Sequence, residues 1–151
     1  MKKVVLVKLT ACSRCQRGIA FLSTEDAEVT FGVPLDAYKV QEISPKCSTS
    51  AGMESLTVFL LQLSMRSSYF PCRVVLDCTE GSLLFARIEM IKEGQIEVFS
   101  CSTTEGVGFA AAAGVPLYVT DSVFEHSQSL HAGAPEEDAD LVQPKVKVTL
   151  H

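Results

Sequence analysis

The chain has 151 residues, 47% of them hydrophobic and 21% charged, a balance that suits one folded domain with a sizeable core and sets a disordered chain aside. Its formal net charge is −5, so no summed field draws it to phosphates, which argues against a protein that holds nucleic acid by surface charge. The apolar run Val4 to Val7 is cut by Lys8, and Leu56 to Leu63 carries Gln62; neither reads as a signal peptide or a membrane span, so a cytoplasmic protein with reduced cysteines is expected.

In chain order, Val5, Val7, Leu9 and Ala11 share one face of a period-2 strand. The polar break from Cys12 to Gly18 reads as a hairpin turn, Ile19 to Leu22 as the return, and Ser23 to Asp26 as a second turn. Ala27, Val29, Phe31 and Val33 then alternate with polar or small residues, completing a three-stranded meander. Pro34 suits a first helical turn, so Leu35 to Ile43 is expected as a short helix ending before Pro45. Ser48-Thr49-Ser50 offers an N-cap for a second helix, whose Met53, Leu56, Phe59, Leu60 and Leu63 recur at helical spacing through about Met65 and predict a core-facing side.

A second meander follows. Val74, Leu76 and Cys78, then Leu84, Ala86, Ile88 and Met90, then Ile96 to Cys101 read as three strands. Their turns, Glu80-Gly81 and Lys92-Glu93-Gly94, each place glycine where a hairpin calls for positive φ. Ser102-Thr103-Thr104-Glu105 fits a capping box, and the small-residue helix behind it, Val107 to Ala113, stops at Gly114. Val115 to Val119 reads as a short edge strand because of Pro116. Asp121 or Ser122 caps a last helix reaching Leu130. The expected organisation is one domain over 1–131 and an acidic tail over 132–151, with a short strand at 145–150.

Local motifs for chemistry are sparse. Cys12 and Cys15 have the spacing of half a zinc site or of a redox dithiol, but no second such pair exists and the pair falls in a hairpin turn rather than opening a helix, so turn residues are the expectation and neither bound zinc nor a disulfide is predicted. His126 and His131 are five apart and do not share a helical face as ligands. No glycine-rich phosphate loop, nucleophile elbow or metalloprotease helix is present.

One stretch is more specific. Val98 to His126 carries Ser102-Thr103-Thr104-Glu105-Gly106-Val107, a small-residue helix, Gly114-Val115-Pro116-Leu117-Tyr118-Val119 and Thr120-Asp121. This resembles the bifunctional nuclease domain family of bacteria and plants, whose pattern there is a strand, Ser-Arg-Pro-Ser-Asp-Ala opening an apolar helix, then Gly-Ala/Val-Pro-Ile-Phe-Val and a Ser/Thr-Asp cap. Upstream, Phe31-Gly32 matches the family's strand into Ile-Gly, and the order of elements agrees from about Val4 to Leu130. The resemblance implies a homodimeric α+β fold of antiparallel meanders with helices packed on them, and a divalent-metal-dependent DNase and RNase activity using magnesium or manganese. Asp36, Glu105 and Asp121 are then the catalytic candidates that would hold the ion. This chain departs from the pattern at the family's arginine, which falls on Thr103, its aspartate, on Gly106, and its upstream glutamate, on Leu35 with Asp36 beside it. Glu105 lies one place off, about 100° around a helix. The expectation is therefore weak or lost nuclease activity, with a non-catalytic dimeric binding or regulatory module as the alternative.

Overall fold

The computed structural model describes residues 1–12, 14, 16–43, 56–81 and 83–125. In chain order these form β1 (Lys2–Cys12), β2 (Arg17–Thr24), β3 (Thr30–Asp36), α1 (Ala37–Ile43), α2 (Leu56–Arg66), β4 (Phe70–Cys78), β5 (Leu84–Lys92), β6 (Gln95–Ser102), α3 (Thr103–Ala113) and β7 (Leu117–Val119). A helical turn over 121–125 follows. The expected tail over 132–151, the cap at 48–50, the end of the last helix, Cys15, Cys47 and the three histidines lie outside the described residues.

Both meanders form, and β7 joins them into one seven-stranded sheet of order β3-β2-β1-β7-β4-β5-β6. β7 runs antiparallel to β1 and parallel to β4; every other pair is antiparallel. The α+β class is as expected, but β7 is internal rather than an edge. Pro116 precedes the strand, so its missing N–H costs the ladder nothing, and its carbonyl accepts from the Val74 N–H at 3.0 Å. No helix among the described residues is long and apolar enough to cross a membrane.

The core lies on one face of the sheet. Val4, Leu22, Phe31, Val33, Val74, Leu76, Ala86 and Leu117 point into it and meet Val107, Phe109 and Ala110 of α3. The β1 alternation differs from the simple period. Val4 is buried while Val5 and Val7 are about half exposed, and a bulge between Leu6 and Lys8 shifts the register so that Leu9 packs on the core with Leu6. An inserted residue flips every later side chain to the other face unless the strand re-phases, and here the bulge does that. Pro34 is not in a helix. It lies in β3, where the edge position tolerates a residue with no N–H to donate, and α1 begins only at Ala37.

One turn and two helices also differ from expectation, while the other turn is as expected. Glu93 and Gly94 both have positive φ, as a tight hairpin requires, whereas Gly81 does not. α3 starts at Thr103, four residues before Val107, and ends on Gly114 in the left-handed region at φ 65°. The largest difference is α2. Only Thr57 is buried, while Leu56, Phe59, Leu60 and Leu63 are 49–68% exposed. Periodicity identifies an apolar stripe but not what covers it, and here the helix turns its opposite side inward. Replacing Leu60 with Gln is therefore expected to change folding stability by no more than about 0.5 kcal/mol, as for an ordinary surface site. A core leucine would cost about 2–5 kcal/mol on truncation, and urea titration separates the two outcomes.

Candidate functional site

α3 is seated by two glycines. An ideal Cβ on Gly106 would stand 2.2 Å from the Ala86 Cβ, and one on Gly108 would stand 2.8 Å from the Lys39 Cδ. Glycine in a helix interior costs about 1 kcal/mol relative to alanine. The return is close approach on two sides, with β5 against Gly106 and the aliphatic stem of Lys39 against Gly108. Lys39 is 3% exposed. Its Nζ donates to the Thr57 hydroxyl at 2.8 Å and pairs with Glu105 Oε2 at 3.2 Å. The Tyr38 hydroxyl donates to Glu105 Oε1 at 2.9 Å.

Glu105 thus serves α1 rather than its own cap. The Ser102 hydroxyl accepts from the Glu105 N–H at 3.2 Å, giving the first half of the capping box. The reciprocal half is replaced by the Tyr38 and Lys39 contacts. The carboxylate holds the Tyr38 phenol above its ordinary value, because it accepts the phenolic proton and its charge opposes a phenolate. Burial, and then the same carboxylate, push the Cys101 thiol up, which disfavours the nucleophilic thiolate. Cys72, Cys78 and Cys101 are free thiols.

Asp36 lies beside this group, its N–H donating to the Thr104 hydroxyl at 3.2 Å. Asp121 does not. It receives the N-terminal ammonium of Met1 on both oxygens at 3.0 Å. Asp36 pairs with Arg17 at one end of β2, whereas Thr24 at the other end pairs with Val4, near where β1 meets β7. That length of strand is about 23 Å at roughly 3.3 Å per residue. The structure therefore brings Asp36 and Glu105 to one end of the sheet and leaves Asp121 at the other. Divalent-cation ligands sit roughly 2.0–2.6 Å from the ion, so these three carboxylates do not fit one ion. No group of three His, Cys, Asp or Glu that could hold a metal occurs among the described residues.

The positions of the family pattern explain themselves locally. An aspartate at Gly106 would have to displace Ala86, and Leu35 is a core residue at 4% exposure. Sequence reasoning places Lys39 among the local cations, with Arg14 and Arg17, that could meet a phosphate; its burial is not foreseen, since a lone lysine in a seven-residue helix carries no periodic signal. The Gly106/Gly108 pair in a helix of small residues was the available clue to a close neighbour on each side. A cleft of about 200 Å³ opens beside Lys39, lined by Ile43, Thr57, Val58 and Gly108 among others. It holds the lysine together with its own carboxylate and hydroxyl partners, so it presents no uncompensated charge to a ligand.

A second polar group lies on the opposite face of the sheet. Arg73 pairs with Glu89 at 2.7 Å and Arg87 with Asp77 at 3.0 Å. Asp77 also accepts from the Thr120 hydroxyl at 3.0 Å. Beneath them Val75 is fully buried, covered by long side chains whose stems lie along the sheet. The two ion pairs balance the four charges, while the buried Arg87 Nε has no hydrogen-bond partner among the described residues. No protein-family model matches the chain, and no curated protein matches it.

Proposed function

We propose that this chain is a non-catalytic binding or regulatory module, dimeric as its resemblance to the bifunctional nuclease domain implies, in which nuclease chemistry is weak or lost. The observation that carries this reading is the separation of Asp121 from Asp36 and Glu105 by the length of β2. Metal-assisted phosphodiester cleavage needs carboxylates converging on one ion. Glu105 is moreover committed to Lys39 and Tyr38. The outward stripe of α2, with no charged residue from Leu56 to Met65, suits an apolar partner surface better than a phosphate backbone.

A nuclease assay with magnesium and with manganese, run beside the Glu105→Ala/Asp121→Ala double variant, tests the reading. A bound metal supplies several kcal/mol of transition-state stabilisation, and each 1.36 kcal/mol is about tenfold in rate. Wild type and double variant are expected to be indistinguishable. Metal-dependent cleavage by the wild type that vanishes in the double variant would overturn the module reading and restore the enzyme.

A further inference from the structure

The two edges of the sheet are built differently. β3 carries Gly32 and Pro34 and ends in the exposed Asp36, all devices that blunt an edge against pairing with another chain. β6 carries none of them. It runs for eight residues, Gln-Ile-Glu-Val-Phe-Ser-Cys-Ser, with no Pro, Gly or Lys, no register shift against β5, and Glu97 as its one charge. Apolar side chains stand exposed on both of its faces: Ile96 at 58% and Val98 at 54% on the outer face, and Phe99 at 44% on the helix side against Tyr69. Among the described residues the rim of β6 away from β5 pairs with no strand. A long, flat, apolar edge is a template for strand addition.

We propose that β6 pairs antiparallel with β6 of a second copy of this chain, continuing the sheet across a two-fold axis. This deepens the module reading by naming the surface on which its dimer forms. Register follows from charge and side-chain parity. A two-fold axis normal to the sheet sets residues of equal parity opposite each other. Centred on Glu97, it would face like charges directly across the pair, which is destabilising. Centred on Phe99, it would set Val98 against Ser100 and Ile96 against Ser102. Centred on Val98, it sets Val98 against its own copy, with Ile96 opposite Ser100 and diagonal to Val98, covers the two most exposed apolar side chains of the strand, and overlaps residues 95–101. Ile96, Val98, Phe99 and a strand rim of seven paired residues make a small interface, at the low end of the sizes seen for specific pairs. A dimer that dissociates in the micromolar range is the corresponding strength.

Size-exclusion chromatography with light scattering on the full chain, loaded at about 100 µM because small interfaces associate weakly, reads the outcome. The wild type is expected at twice the 16.3 kDa chain mass. Val98→Lys and Val98→Glu, at an exposed position that spares the fold, should each be monomeric, and mixing them should restore a dimer by setting opposite charges across the axis. Leu60→Glu on α2 should leave the dimer intact. A wild-type monomer, a dimer that survives Val98→Lys, or a dimer lost in Leu60→Glu overturns the proposal. So does a monomer that dimerises only when 132–151 is removed, since the edge would then belong to the chain's own tail. A wild-type monomer would also take the dimer out of the module reading, whereas no outcome here bears on metal-dependent cleavage, so loss of the β6 surface and return of the enzyme are told apart.

Discussion

Gly106→Asp, which restores the aspartate of the resembled pattern, is expected to destabilise the protein by about 4 kcal/mol or more and to leave little soluble chain. An acid in the first turn of a helix normally gains about 0.3–1 kcal/mol from the helix dipole. Here its Cβ would stand 2.2 Å from Ala86 Cβ and 3.4 Å from a Val74 methyl. Overpacking alone costs about 1–3 kcal/mol, and a carboxylate forced between α3 and the sheet adds several more. Against a typical domain stability of about 5–15 kcal/mol, the clash decides the sign. Gly106→Ala should cost about 1–2 kcal/mol despite the roughly 1 kcal/mol that alanine gains in a helix. Adding Ala86→Gly should recover at least about 1 kcal/mol as coupling between the two sites. Urea unfolding of wild type, the three variants and Ala86→Gly alone checks this; a Gly106→Asp variant within about 1 kcal/mol of wild type would mean that α3 is seated elsewhere.

Lys39→Ala is expected to cost about 3 kcal/mol, and Lys39→Met only about 1 kcal/mol. Both variants leave the buried Thr57 hydroxyl without its Lys39 donor, at about 1–3 kcal/mol, and both avoid the cost of holding an ammonium away from water. The alanine variant alone loses the three methylenes packed over Gly108, at about 0.8 kcal/mol each, which is the expected difference between the two. Glu105 is 44% exposed as a side chain, so it regains water in either variant and contributes little to the difference. Equal losses in the two variants, measured by urea unfolding, would place the stabilisation in the charge rather than in the stem.

Much of the framework was legible because its causes are local. Glu93-Gly94 announces a hairpin, Ser102 caps α3 through the Glu105 N–H, and Gly114 ends it, each from residues within one turn. What was misread depends on partners distant in sequence. Three residues, Leu117 to Val119, carry no sign that they will lie between β1 and β4. Pro34 suits a helix start and an edge strand equally well, and only the sheet order selects between them. The candidate acids divide in the same way. Asp36 and Glu105 come together because β3 delivers α1 to the start of α3, while Asp121 is carried away with the Met1 end of β1.

The sequence by itself determined an α+β chain of two antiparallel meanders with a capped, glycine-stopped helix, because alternation, turn chemistry and capping act over a few residues. It also marked α2 as apolar on one side. The tertiary structure alone decided that this side faces outward, that Lys39 is buried against Gly108, that β3 and β6 are the outer strands of the sheet among the described residues, and that Asp121 stands a strand length from Glu105. Burial and proximity are properties of elements brought together from far along the chain, and no local pattern of residue types encodes which face will meet which partner.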